Sequence, residues 1–479
     1  MSAEALFPSI PAHWKLTTLG ELAKASGGGI QTGPFGSQLH ASDYVNNGIP
    51  SIMPKNISVD SILTDDIARV SSEDITRLSK YKVHTGDIIY SRRGDVEKCA
   101  RITQEENGWL CGTGCLRVRV FPGEVSTEYL HAYLCHPNVR EWIVRHAVGA
   151  TMPNLNTSIL SALPVIVPSK SEMEQIGSSW LSISEKILIN HQINQTLEQI
   201  AQALFKSWFV DFEPVKAKIA ALKAGGSEED ALLAAMQAIS GTSLFDADAS
   251  AAGAAEQLAR LQAKQPRKYA ELRATAEMFP STMQESELGE IPEGWDIQQI
   301  GEILDRLKPK KRYTKKQVTP TGQTPVFEQG SDILLGFHNG IPGFIATSED
   351  PAFIFGDHTC IIHLSCQNFD VSQNVIPLKG KVRSTMWTYY ALQGKQTFQD
   401  YRRHWAELVV KPVIYPPNAL CKQFSETINS SIRLKEQLDQ EAKSLSEIRD
   451  LLLPKLLSGQ LSVSGTANCV PEVEEVTDV

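Results

Sequence analysis

The chain has 479 residues, 42% hydrophobic and 21% charged, with a formal net charge of −9. That is an ordinary globular balance with material for more than one core. No apolar run approaches the ~20 residues that cross a bilayer. The start, Met1-Ser2-Ala3-Glu4, lacks the basic and apolar parts of a signal peptide. Eight cysteines without a regular framework fit a reducing compartment. These features exclude membrane, secreted and fibrous classes and lead us to expect a cytoplasmic protein.

In chain order, Ile10-Pro11-Ala12-His13-Trp14 and Leu19-Gly20-Glu21-Leu22 return 281 residues later as Ile291-Pro292-Glu293-Gly294-Trp295 and Ile300-Gly301-Glu302-Ile303. Leu163 to Pro168 returns as Lys411 to Pro416, 248 residues on. A duplication followed by divergence is the simplest account. Between these landmarks, Gly86–Ser91 and Leu116–Val120 read as strands, as do Phe353–Phe355 and Cys360–Leu364 in the second copy. Glu128–His146 reads as one amphipathic helix. The fold class expected is α+β, with two loop-rich mixed α/β domains at 10–168 and 291–417.

After Pro168 the pattern becomes helical. Met173, Ile176, Trp180, Ile183, Ile187, Asn190, Asn194, Leu197, Ala201, Leu204 and Trp208 alternate spacings of three and four throughout, a heptad seam. A shift of 248 gives a second seam through Phe424, Ile428, Leu438, Leu445, Leu452 and Leu456. Residues 169–213 and 418–461 are therefore expected as two long helices, each about 60 Å, paired antiparallel as a coiled coil about a pseudo-two-fold axis. Residues 214–290, rich in Ala and Gly, read as a linker of short helices and turns, and 462–479, with four acids and no base, as a disordered acidic tail.

The charge is unevenly distributed along the chain. Residues 10–168 hold 15 Lys+Arg against 15 Asp+Glu, and 291–417 hold 14 against 12. The acidity lies in helices, linker and tail, so the whole-chain value does not argue against a local nucleic-acid face. Lys308-Pro309-Lys310-Lys311-Arg312-Tyr313-Thr314-Lys315-Lys316 concentrates six basic side chains and a tyrosine. Arg92-Arg93 closes a predicted strand, and Lys55-Asn56 follows Pro54 in a turn. Arg and Lys suit phosphates and guanine edges, and Asn and Gln suit adenine. The glycine-rich run Gly27–Ser37 lacks the Gly-Lys-Ser/Thr ending of a phosphate loop. Cys99, Cys111, Cys115, Cys135 and His136 match no paired metal spacing, so buried thiols and no metal are expected. No catalytic constellation stands out.

Several stretches resemble the specificity subunit of type I restriction-modification enzymes. They are Thr32–Ser37, Gly48-Ile49-Pro50 with Pro54-Lys55-Asn56, Gly86-Asp87-Ile88, Pro153–Asn156, Leu204–Phe212, Phe355–Thr359 and Leu452–Gly459. The resemblance covers nearly the whole chain apart from the acidic tail. It implies a non-catalytic subunit whose two target-recognition domains, held apart by antiparallel helices, each read half of a bipartite, asymmetric site on double-stranded DNA. It also implies two methyltransferase subunits using S-adenosylmethionine and two restriction subunits using ATP and Mg2+, with no cofactor or metal in this chain. Within that frame Gln38, Lys55, Asn56, Arg92, Arg93, Lys308, Lys310, Lys311, Arg312, Lys315, Lys316, His358 and Thr359 are the expected DNA contacts. The alternatives are a self-contained DNA-modifying enzyme and a helical scaffold without DNA affinity.

Overall fold

The structure, a computed structural model, describes residues 6–7, 10–58, 61–121, 123, 125–149, 152–243, 251–330, 332–400 and 402–461. The expected acidic tail at 462–479 lies outside the described residues. The fold is mixed α/β, and no described helix is long and apolar enough to cross a membrane. Two compact units divide the chain, one from residues 1–191 and 440–479, the other from 192–439.

In the first unit the strand Lys15–Thr18 pairs antiparallel with Pro164–Val167, Lys15 opposite Val167. Thr18 then caps the helix Leu19–Ala25, with Glu21 closing the capping box. A four-stranded antiparallel sheet runs in the order Gly29–Thr32, Cys115–Arg119, Ile88–Ser91, Cys99–Arg101. A second sheet joins Tyr44–Val45, Ala68–Val70, Ile49–Ile52 and Leu110–Cys111, its last pair parallel. The single helix expected over 128–146 is two, Thr127–Cys135 and Pro137–His146. Pro137 has no N–H to continue the first helix, but it suits the first turn of the next. The His136 ring caps that second helix by accepting from Asn138 N at 3.1 Å. Tyr129, Tyr133, Leu134 and Trp142 from these helices share a core with Met173, Ile176 and Trp180 of one long helix and with Leu453, Leu456 and Leu457 of the other.

The second unit contains the same clasp. Asp296–Gln299 pairs antiparallel with Pro412–Tyr415, Asp296 opposite Tyr415. These strands lie at the repeated landmarks of the sequence, and short helices, Ile300–Ile303 and Trp405–Val409, flank them as Leu19–Ala25 and Thr157–Ser161 do in the first unit. A four-stranded sheet orders Leu304–Arg306, Val375–Gly380, Ala352–Gly356 and Ile362–Ser365, and a three-stranded one orders Leu334–His338, Thr324–Phe327 and Asp370–Val371. The stretch 214–290 is largely helical: Glu213–Lys223 opens it, followed by Glu228–Ser243, Ala251–Lys264 and Pro266–Glu277. They do more than link: Val215, Leu232, Ala235, Met236 and Ile239 are buried in the core of this unit with Trp208, Phe209, Trp295, Trp387 and Phe424. The Leu204–Phe212 stretch is thus an aromatic anchor, with Phe209 5.5 Å from Phe424 and Trp208 5.4 Å from Phe279 between ring centroids.

The long helices are Lys170–Phe209 and Asn418–Leu457. In the first unit Asn190 Nδ2 donates to Glu441 Oε2 at 2.8 Å, and the Arg449 guanidinium lies 4.8 Å from the Trp180 ring. In the second, Asn194 meets Asp439, Glu198 meets Lys435 at 2.9 Å, and Phe205 meets Phe424. Partners descend one helix as they climb the other, so the pairing is antiparallel within each unit. Of the seam residues, Met173, Ile176, Trp180, Ile187, Leu204, Trp208, Phe424, Ile428, Leu438 and Leu456 are buried. Ile183, Leu197, Leu445 and Leu452 are only half-buried.

Candidate nucleic-acid interface

In the first unit four loops converge. Gln38 Oε1 accepts from Phe35 N at 3.3 Å and from the Tyr81 hydroxyl at 2.8 Å. The Arg92 guanidinium lies 5.8 Å from the exposed Phe35 ring, and Arg92 N donates to Gly114 O at 2.8 Å. A side chain at Gly114 would meet Pro54 at 3.1 Å, so the turn carrying Lys55 closes the group. Arg93 is exposed and bridges in β fashion to Asn154, while Leu155 N donates to Arg92 O at 2.8 Å. Gly94, at φ +78°, turns the chain away, a conformation costly to any residue with a Cβ. The Pro153–Asn156 motif therefore supports the arginine pair.

Asn56 does not fit a base-reading role. It is buried, its Oδ1 accepting from Met53 N at 3.0 Å and its Nδ2 donating to Leu63 O at 3.1 Å. Both halves of the amide hold the turn that presents Lys55, which is exposed. Gln38 is likewise committed through its carbonyl oxygen.

In the second unit the basic stretch divides by role. Lys308, Lys310, Lys311, Lys315 and Lys316 are exposed. Arg312 instead donates from Nη1 to Ser372 O at 2.7 Å and Val375 O at 2.8 Å. Burial, with Arg306 nearby, pulls its pKa down from the usual arginine value. Tyr313 stacks on His338 at 4.5 Å with an interplanar angle of 11°, Lys311 Nζ sits 4.1 Å from the Tyr313 ring, and His338 Nε2 lies 2.9 Å from Asp370 Oδ2. Lys315 and Lys316 ride a short turn capped by Thr314 and Gln317. Arg312 and Tyr313 are thus rivets and the lysines their exposed load.

His358 and Thr359 follow the strand Ala352–Gly356, with His358 N donating to Gln329 Oε1 at 2.9 Å. Asp357 N donates to Asn374 O, and Asp357 Oδ1 accepts from the amides of His404 and Trp405. The 372–375 segment therefore touches both the 357–359 turn and Arg312. Sequence reading missed Phe35 beside Arg92 and the exposed Ile341 and Ile345. Their signal was faint: Phe35 and Ile341 sit in the turn sequences Gly-Pro-Phe-Gly and Asn-Gly-Ile-Pro, and Ile345 lies four residues after Ile341.

Each unit thus presents a loop cluster in which a cation lies beside an aromatic ring, Arg92 by Phe35 and Lys311 by Tyr313, with further lysines exposed around them; such loops on a packed scaffold suit recognition of a ligand. Residues 11–199 match the family described as the Type I restriction modification DNA specificity domain. Along most of its length the chain is similar to type I restriction-enzyme specificity subunits. It is 29% identical over 440 residues to the HindI specificity subunit of Haemophilus influenzae, covering 81% of this chain and 89% of that one. It is 25% identical over 483 residues to the MjaIX specificity subunit of Methanocaldococcus jannaschii, covering 95% of each. A crystal structure of a type I restriction-modification system S subunit from M. genitalium aligns at 14% identity and TM-score 0.46 over 93% of this chain and 96% of that one.

Proposed function

We propose that this chain is the DNA sequence-specificity subunit of a type I restriction-modification complex and has no catalytic role of its own. The observation that carries the reading is the specificity domain over residues 11–199. The two clasps with matching register, Lys15–Thr18 on Pro164–Val167 and Asp296–Gln299 on Pro412–Tyr415, support a duplication. Residues 10–168 and 291–417 are then two target-recognition domains, each reading one half of a bipartite, asymmetric double-stranded site. The helices 169–213 and 418–461 are an antiparallel coiled-coil spacer with pseudo-two-fold symmetry, favoured by the contacts of Asn190 with Glu441 and of Asn194 with Asp439. Residues 214–290 connect the halves.

Lys55, Arg92 and Arg93 contact one half-site, and Lys308, Lys310, Lys311, Lys315, Lys316, His358 and Thr359 the other. Two methyltransferase subunits bring S-adenosylmethionine, and two motor-nuclease subunits bring ATP and Mg2+. The complex acts on cytoplasmic DNA.

The test is to co-express the chain with its methyltransferase partner in a methylation-free host and map modified adenines. A single bipartite motif with an unread spacer is expected. Unmodified DNA, together with no sequence preference in a binding assay, would overturn the reading.

A further inference from the structure

Spacing along the chain shows no paired metal motif, yet folding assembles one in the first unit. His131 and Cys135 sit one turn apart on the helix Thr127–Cys135, where side chains four residues apart share a face. Cys99 opens the strand Cys99–Arg101, which packs against that helix. Cys135 Sγ lies 3.5 Å from His131 Nε2 and 3.9 Å from Cys99 Sγ, and the three ligand atoms all fall within 4.8 Å of one another. All three residues are buried.

A tetrahedral ion with bonds of about 2.3 Å to sulfur and about 2.1 Å to nitrogen spaces its ligands by about 3.5–3.8 Å. Two of the three edges already match. Two thiolates and a neutral imidazole around a divalent cation carry no net charge, which suits a core where an isolated charge is penalised. Soft sulfur with imidazole selects zinc over magnesium or calcium. His131 also lines a cavity of about 290 Å³ with Arg101, Ser184 and His191, so one member of the cluster borders open space.

We propose that Cys99, His131 and Cys135 bind one zinc ion, stapling the Cys99–Arg101 strand to the Thr127–Cys135 helix within the first recognition domain. The strand is hydrogen-bonded to Ile88–Ser91, directly before Arg92 and Arg93, so the ion steadies the base of that loop.

The test uses the full chain, purified without chelator from zinc-supplemented medium and analysed for metal by mass spectrometry. About one zinc per chain is expected, with Cys135→Ser and His131→Ala at background and Cys111→Ser, a buried thiol outside the cluster, unchanged. If the cluster variants fail to fold, cobalt exchange into the unmutated chain decides, and sulfur-to-cobalt charge-transfer absorption is expected. Unmutated chain that takes up neither zinc nor cobalt would overturn the proposal. So would metal retained by both folded cluster variants, or a Cys99–Cys135 disulfide in the metal-free native protein.

Discussion

Asn194 Nδ2 donates to Asp439 Oδ1 at 2.6 Å and to Lys435 O at 3.3 Å, placing a buried amide on a seam that is otherwise mostly apolar. One turn on, Glu198 pairs with Lys435 at 2.9 Å. Burial opposes ionisation of Glu198, but the lysine charge and its hydrogen bond outweigh it and lower the carboxyl pKa. Polar groups at a seam favour one register, because any slip strands them among leucines. Asn194→Ala is therefore expected to lower the unfolding free energy by about 1–2 kcal/mol in urea titrations. Unchanged stability would show that the amide does not tie the helices in solution.

Asp87 supplies the second prediction. Its two oxygens accept from Arg119 Nε and Nη2 at 2.7 and 2.6 Å, and Oδ2 also accepts from His84 N at 2.8 Å. The carboxylate is buried, so removing its charge strands an arginine. Asp87→Asn is expected to destabilise the first unit by about 3–5 kcal/mol. Asp87→Asn combined with Arg119→Met should recover part of the loss, and strict additivity would refute the coupling.

A pH effect follows from His136. Burial lowers its pKa from 6.5 to about 4. Its Nδ1 accepts from Asn138 N, so the neutral ring is the one that caps the helix. The folded pKa lies below the unfolded one, so protonation favours the unfolded chain. Stability is full above pH 6.5 and declines as pH falls toward 4, by about 3 kcal/mol across that window. His136→Asn keeps a capping side chain without the titration, and its stability should be flatter between pH 7 and 4.5. Parallel pH profiles for the two proteins would rule His136 out as the source.

For DNA the lysines are the test. Lys310→Glu with Lys311→Glu should weaken binding of the methyltransferase complex to specific and nonspecific duplexes alike, and reduce the salt slope by about two. Arg312→Ala should act differently. It removes donors to Ser372 and Val375, so it should loosen the Tyr313 stack and impair one half-site first. Identical salt slopes for the double lysine variant and the parent would take these side chains out of the interface.

Much of the fold was legible in the sequence. The repeated Pro-x-x-Trp and Pro-Val-Ile segments mark both clasps, and the alternating apolar residues mark the strands of the four-stranded sheets. The break at Pro137 was missed, because apolar spacing on both sides of the proline reads as one continuous helix. The short helices of the linker were legible, but their burial was not. Alanine-rich helices bury small residues such as Ala235, and composition cannot tell a small packed face from a flexible one.

Local pattern determined which elements form and in what order, because capping, turn chemistry and hydrophobic period act within a few residues. Roles within the candidate site were settled by contacts between distant segments. Arg312 reaches carbonyls 60 and 63 residues away, and Asn56, though its partners are nearby, leaves the surface only when its turn packs inward. Cys99 meets Cys135 across 36 residues. Whether a basic or polar side chain faces a ligand or a backbone carbonyl depends on which acceptor the fold brings within 3 Å, and that distance exists only in the folded chain.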